Sequence, residues 1–273
     1  MTLNSRGGEM VSPTQHDIQP AKDNAVERAE SPGSGTSGNE EQANLTNLDS
    51  PDLYLNRELT WLEFNRRVLA EAQNTKLPLL DRIKFIAILS SNLDEFFMKR
   101  IGGLKQLVGA GVQDLSVDGR TPQEQIEECW ETVRQLKQKQ RRLSLRLLSQ
   151  LEDNGIWINS YDELSDVEKG EIRAHFIENI FPIITPIVMD PAHPFPFISN
   201  LSLNLLVTIA RPDGKGTSRA RIKVPVGSEV PRFMQVGDGY RFIPLEDVIA
   251  NNLDLLFPGI QIERWDLFRV TRN

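Results

Sequence analysis

Apolar residues recur three or four positions apart along residues 61–151, a spacing that places them on one face of a helix. It predicts helices over about 61–73, 78–89, 92–108 and 121–154. Short polar or glycine-bearing stretches separate these segments, as in connections between neighbouring helices. This part of the chain is therefore predicted to form an all-α, antiparallel helical bundle.

Residues that cap helices mark several of the predicted helix starts. A Thr or Asn followed three residues later by Glu fits a capping box, in which the two side chains satisfy backbone N–H groups of the first turn. Thr60 with Glu63 fits this pattern, and so does Asn92 with Glu95. We therefore expect one helix to begin after Thr60. We also expect the apolar run to break near Leu89 and a new helix to begin at Asn92.

The pattern becomes mixed after Gly155, where short β-branched runs alternate with helical spacing. Strands are predicted over 156–158, 183–189, 203–210, 221–226, 240–244 and 260–270, and helices over 165–179 and 245–257. Residues 191–197 contain three prolines and predict a stiff loop, because proline suits neither a helix interior nor a central strand. The last strand reaches the chain end without a polar tail, which predicts an α+β domain truncated at its C-terminus.

Composition adds a third region to this division. Residues 1–50 are rich in Ser, Gly, Asn, Glu and Pro and hold eight acidic against three basic residues, so they predict a disordered acidic leader. We therefore divide the chain into this leader, a helical N-terminal domain over 52–155 and an α+β domain over 156–273. About −2 of the net charge of −7 is left outside the leader, which gives no general attraction to nucleic acid.

Several classes of site are excluded by the residues present. The single cysteine, Cys129, excludes an internal disulfide, and its helical spacing from Ile126 and Val133 predicts a buried side chain. No P-loop motif occurs, and the single Gly-x-Gly-x-x-Gly match, residues 33–38, lies in the predicted disordered leader without the flanking strand and helix of a dinucleotide-binding unit. The three histidines, at positions 16, 175 and 193, lack the spacing of a metal site, so we expect no metal site in this chain.

The sequence also bears on where the protein resides. No apolar run approaches the roughly 18 residues of a membrane span, and the N-terminus lacks the apolar segment of a signal peptide. We expect a cytoplasmic protein without a transmembrane segment, and peripheral membrane association stays open.

Two candidate binding features remain. The predicted helix start at Asn92 exposes N–H groups that suit a phosphate or nucleotide, although a cap with no ligand gives the same pattern. Lys139, Arg142 and Arg146 belong to a basic cluster on the predicted long helix. That cluster fits either a polyanion such as polyphosphate or an ordinary solvated helix face.

Several stretches resemble the bacterial polyphosphate kinases, a long multidomain family that uses a phosphohistidine. Residues 54–69 (YLNRELTWLEFNRRVL), 78–85 (PLLDRIKF) and 90–97 (SSNLDEFF) are similar to the amino-terminal domain of that family. Residues 190–204 (DPAHPFPFISNLSLN) and 268–273 (FRVTRN) resemble its head, or middle, domain.

The resemblance implies a reversible transfer of the terminal phosphate of ATP to polyphosphate, with magnesium and in a homo-oligomer. In the family the phosphohistidine, the magnesium-linked arginines and the polyphosphate tunnel belong to carboxy-terminal domains, so no catalytic residue is expected in this chain. The asparagine of the 90–97 segment contacts ATP in the family, which assigns that contact to Asn92. We expect this chain alone to be inactive. The alternative is a non-catalytic docking module from a truncated or split polyphosphate kinase.

Overall fold

The computed structural model describes residues 47–189, 196–211, 216–227 and 230–272. The leader predicted over 1–50 therefore lies, up to residue 46, outside the described residues. So do His16, His193 and most of the proline-rich loop.

The first part of the described chain is built from long helices that share one core. Their bounds are α1 (Arg57–Gln73), α2 (Leu79–Phe96), α3 (Gly102–Gly109) and α4 (Pro122–Asp153), with a π-helical turn (Phe97–Ile101) joining α2 to α3. Helix α1 packs against α2 and α4. Their buried faces meet in one cluster that includes Leu62, Leu89, Leu93, Phe96, Leu136 and Leu147. The predicted helical bundle is confirmed.

The prediction of a helix start at Asn92 is wrong. Helix α2 runs without interruption from Leu79 to Phe96, so Asn92 lies inside it. The polar residues that suggest a break have partners on neighbouring helices instead. The Ser90 hydroxyl donates to the Ile86 carbonyl at 3.2 Å and accepts from Gln140 of α4 at 2.7 Å. Because their polar groups are satisfied within the bundle, these residues do not end the helix.

The predicted capping box at Thr60 is also wrong. Helix α1 begins at Arg57, and the buried Asn56 side chain caps it by accepting from the N–H groups of Glu58 and Leu59, both at 3.0 Å. The Thr60 hydroxyl, one turn into the helix, donates to the Asn56 carbonyl at 2.8 Å. The true cap lies four residues earlier than predicted.

Helix α4 has the predicted ends. Thr121 is its N-cap, and Thr121 and Glu124 form a reciprocal capping box with Pro122 in the first turn. The helix ends at Asp153, and Gly155 follows with a φ of 78°, which glycine adopts without strain. Cys129 on its inner face is fully buried, as predicted.

The second part combines two sheets with short helices. The strands are β1 (Trp157–Ile158), β2 (Ile187–Met189), β3 (Leu203–Ala210), β4 (Thr217–Lys223), β5 (Phe233–Gln235), β6 (Arg241–Pro244) and β7 (Ile262–Arg269). One sheet is antiparallel with the order β2-β4-β3-β7. The other has the order β1-β6-β5, in which β1 runs parallel to β6 and β5 antiparallel to it.

The helices of this part are α5 (Asp166–His175), α6 (Leu245–Ala250) and α7 (Leu253–Leu256). A second π-helical turn, Phe176–Ile180, follows α5. Apolar residues of the larger sheet, among them Leu205, Val207 and Ile222, form a core with Phe176 and Val248. The fold class is confirmed as a helical bundle followed by a mixed α+β part.

Some strand and helix bounds differ from the prediction. Strand β5 has only three residues and was not predicted. Strand β4 begins at Thr217 instead of residue 221. The helix predicted over 245–257 is divided near Asn252, whose side chain is fully buried and donates to the Val248 carbonyl at 2.8 Å.

Candidate functional site

Asn92 lies half-buried on the side of α2 that packs against α1. Its side-chain amide donates to Oδ1 of Asn65 at 2.9 Å. Asn65 is fully buried and in turn donates to the Trp61 carbonyl at 3.0 Å. This chain of hydrogen bonds fixes the Asn92 amide, which keeps one N–H and its oxygen for another partner.

A small cavity of about 430 Å³ lies beside this hydrogen-bonded chain and is lined by Trp61, Glu95, Phe96, Lys99 and Arg100. The Trp61 and Phe96 rings stack with centroids 5.0 Å apart and planes 7° apart. The cavity therefore places aromatic surface close to two cationic side chains, and the π-helical turn carries both cations. Aromatic faces suit a nucleotide base, and cations suit its phosphates.

The charges of this cavity are partly neutralised by neighbouring carboxylates. Lys99 forms an ion pair with Glu95, and its hydrogen bond holds the pKa of that carboxyl below the usual range. Arg100 lies 3.8 Å from Oε2 of the buried Glu58, an oxygen that accepts no hydrogen bond. At that distance most donors of the Arg100 guanidinium remain unused.

The basic cluster of the sequence lies on α4. Lys139, Arg142 and Arg146 fall within an arc of about 60° around the helix axis, and all three are exposed. None of them forms an ion pair with a carboxylate of the described residues. Residues 132–151 carry six basic and no acidic side chains. On the same helix, Gln140 contacts α2 through Ser90.

In the described part of the chain, His175 and the other potential metal ligands do not converge. His175 is exposed at the end of α5, where its Nδ1 lies 3.3 Å from the side-chain nitrogen of Asn179. Among the described residues, no group of three or more His, Cys, Asp or Glu side chains could hold a metal ion. Burial raises the pKa of the Cys129 thiol to about 12, which leaves it unreactive.

Asn65 and Trp61, which position and flank Asn92, were not identified from the sequence as site residues. Asn65 is a polar residue within the apolar spacing of α1, between the buried Leu62 and Leu69. A polar side chain on a buried helix face needs a hydrogen-bond partner, so the position of Asn65 among apolar residues could have identified it.

Comparison with known proteins identifies two consecutive domain families. Residues 54–159 match the family described as "Polyphosphate kinase N-terminal domain", and residues 167–273 match "Polyphosphate kinase middle domain". Within the described part of the chain, no helix has both the length and the apolar character needed to cross a membrane.

Individual relatives agree with both family matches. The polyphosphate kinase of Synechocystis sp. is 45% identical over 243 residues, which are 85% of this chain and 33% of the relative. That of Mycobacterium ulcerans is 45% identical over 81% of this chain. The crystal structure of polyphosphate kinase from Porphyromonas gingivalis superposes with a TM-score of 0.69 at 29% identity and covers 80% of this chain. The chain spans about a third of the length of these relatives.

Proposed function

This chain belongs to the polyphosphate kinase family, and we propose that it is the part of an ATP–polyphosphate phosphotransferase that contributes a contact to ATP and takes part in assembly. The reaction is a reversible transfer of the terminal phosphate of ATP to polyphosphate. The observation that carries the proposal is the consecutive match to two domains of one family along residues 54–273.

The proposed ATP contact is the side chain of Asn92. The helix start that first suggested it does not exist, so the proposal now rests on the side-chain amide instead of on backbone N–H groups. The amide is held by Asn65 and keeps polar atoms unused. The adjoining cavity supplies the Trp61 ring and the cations Lys99 and Arg100. These groups match the base and the phosphates of a nucleotide.

The remaining chemistry is assigned to polypeptide outside residues 1–273. The described residues do not fit a magnesium site, so the metal is assigned to the same polypeptide. The phosphohistidine is likewise placed outside this chain, as the family resemblance implies. We also propose that the protein acts in the cytoplasm as a homo-oligomer.

Replacing Asn92 tests the ATP contact. We expect Asn92→Ala to weaken ATP binding roughly five- to tenfold, the effect of losing one hydrogen bond of about 1 kcal/mol. Ser91→Ala is the matched control, because Ser91 is the exposed neighbouring residue on the same helix. Calorimetric titration with ATP measures both variants. Equal ATP affinities of Asn92→Ala and Ser91→Ala would show that Asn92 does not contact ATP.

The same preparation tests for activity. We expect no ADP formation when the chain is incubated with ATP, polyphosphate and magnesium. Turnover would contradict the placement of the phosphohistidine outside this chain. The ATP contact of Asn92 is tested separately, by the calorimetric titration with ATP.

A second proposed role concerns polyphosphate. The exposed cations Lys139, Arg142 and Arg146 on one side of α4, within a segment free of carboxylates, form a surface that attracts a polyanion. We infer that this surface binds polyphosphate by charge, without enclosing it.

Charge reversal distinguishes this surface from general attraction. We expect the triple variant Lys139→Glu, Arg142→Glu and Arg146→Glu to weaken binding to long-chain polyphosphate about tenfold at low salt, and added salt to weaken the unmodified chain. The matched control reverses the exposed lysines at positions 76, 84 and 105, so the net charge changes equally. An equal loss of polyphosphate affinity in both triple variants would show that the net charge, and not this surface, determines binding.

A further inference from the structure

A second cleft, of about 690 Å³, lies between α2 and one end of the larger sheet. Its walls come from Ser90 of α2, from residues 199–203 and from the ends of β4 and β7. Ser90 and Asn92 are two residues apart, which places their side chains about 200° apart around the helix. The cleft is therefore on a different side of α2 from Asn92 and from the cavity at Trp61.

Among the described residues, three cations and no carboxylate line this cleft. They are Lys223 at the end of β4, Arg269 at the end of β7 and Arg232. Arg269 donates through Nη2 to Asp94 at 2.8 Å, and Arg232 donates to Glu246. Lys223 is exposed and forms no ion pair with any carboxylate of the described residues. The described lining is thus positively charged, and one of its cations has no described counter-charge.

Many of the hydrogen-bond donors in the cleft remain unused. A guanidinium has five N–H donors, and the contacts with Asp94 and Glu246 occupy only some of those of Arg269 and Arg232. Lys223 adds an ammonium group with three donors. The hydroxyl of Ser199, also in the lining, is exposed. Such a set of donors around an open space suits the several oxygens of a phosphate group.

Arg221 is a further cation near the cleft, although it is not part of the lining. It lies two residues before Lys223 on β4, so both side chains are on the same face of the strand, with Cα atoms about 7 Å apart. Arg221 is only 9% exposed, its Nε has no hydrogen-bond partner, and Nη1 contacts the Phe197 carbonyl at a long 3.4 Å. No described carboxylate pairs with it. A buried cation without a counter-charge is unfavourable, and a bound anion nearby stabilises it.

We propose that this cleft binds the phosphate chain of a triphosphate or of a longer oligophosphate. Lys223 is the central ligand, and the unused donors of Arg232 and Arg269 flank it. The volume of the cleft is within the range of small-molecule sites and exceeds the space that one phosphate group needs. This site is separate from the proposed ATP contact at Asn92, and none of its residues belongs to that contact.

Titration with tripolyphosphate tests the cleft directly, because this probe has no base for the Asn92 site. We expect Lys223→Gln to weaken tripolyphosphate binding about tenfold, as for loss of a charge-assisted hydrogen bond. Lys105→Gln is the matched control, since Lys105 is an exposed lysine of α3 outside the cleft lining. The ATP titration of Asn92→Ala is a separate measurement, so failure of the cleft and failure of the ATP contact are distinguishable.

A second variant removes a different cation of the lining. Asp94→Asn with Arg269→Gln removes a flanking cation together with its carboxylate partner, and it should also weaken binding. An ATP titration identifies the source of the phosphate chain. If ATP loses affinity in Lys223→Gln by the same factor, the cleft accepts nucleotides; if not, it selects inorganic oligophosphate. Equal tripolyphosphate affinity in Lys223→Gln and Lys105→Gln would overturn the proposal.

Discussion

Individual side chains in this protein are governed by partners far away in sequence. Asn92 bonds to Asn65, 27 positions earlier, and Ser90 bonds to Gln140, 50 positions later. From the sequence alone, Asn92 followed by Glu95 fits a helix start, because local capping is the only partner that local sequence reveals. The tertiary partners override that signal. The predicted helix start at Asn92 is therefore wrong, and the assignment of an ATP contact to Asn92 stays a prediction.

A carboxylate of α5 shows how a local signal and a tertiary contact combine. Glu168 accepts from the backbone N–H of Ser165 at 2.8 Å and forms an ion pair with Arg241 of β6. The hydrogen bond from Ser165, then that from Arg241, lowers the pKa of Glu168 from 4.5 to about 2. A helix beginning at residue 165 was predicted from the sequence, whereas Arg241 lies 73 positions away from Glu168.

We predict that Glu168→Gln destabilises the protein at neutral pH, and that the difference shrinks on acidification. A carboxyl whose folded-state pKa is lowered stabilises the fold above its unfolded value of 4.5, and that contribution is lost as pH falls towards 2. Urea unfolding between pH 7 and pH 2.5 measures it. The control Glu178→Gln alters an exposed glutamate of the following π turn. A difference that stays constant with pH would contradict the assignment.

At the scale of elements, the long helices were predictable because apolar spacing and caps are local properties. Helix α4 has both of its predicted ends, set by Thr121 with Glu124 and by Gly155. The short elements were not predictable in the same way. Strand β5 has three residues and depends on pairing with β6. The π turn of Phe97–Ile101 has no sequence signature, and it carries two residues of the candidate site.

The start of α1 allows a test at this scale. Asn56 caps the helix and also donates to Asp118 at 3.1 Å and to Gln125 of α4 at 3.2 Å. We predict that Asn56→Ala lowers the free energy of unfolding by about 2 kcal/mol, since it removes a cap and leaves buried partners unsatisfied. Asn56→Ser retains a cap and should lose less. Urea unfolding followed by circular dichroism compares them. Equal losses in the two variants would show that capping contributes nothing.

At the scale of the whole molecule, the sequence separated a helical part from a mixed part, but it gave no contact between them. The structure joins them through polar side chains. Arg269 at the end of β7 bonds to Asp94 of α2 at 2.8 Å, and Asn200 contacts the Met98 sulfur at 3.0 Å. These contacts span 175 and 102 positions of sequence. No local pattern predicts such pairs, so the cleft at Lys223 was not predicted either.

The contact between the two parts can be measured as a coupling energy. We predict that Asp94→Ala and Arg269→Ala are non-additive by about 0.5–1 kcal/mol in a double-mutant cycle, the range of partly exposed ion pairs. High salt should reduce the coupling because the Arg269 side chain is 42% exposed. Arg264 and Asp266, which pair within β7, provide a control cycle that does not reach the helices. Additive losses for Asp94 and Arg269 would mean that the pair does not tie the parts together.

The uninterrupted course of α2 through the π turn into α3 makes a single rod of roughly 45 Å from Leu79 to Gly109. Asp94 and Asn92 are two residues apart on this rod. Asp94 pairs with Arg269 of the larger sheet, and Asn92 bonds to Asn65 of α1. Both contacts lie within one turn of the same helix, so a single short segment of α2 is anchored to the helical bundle and to the sheet at once.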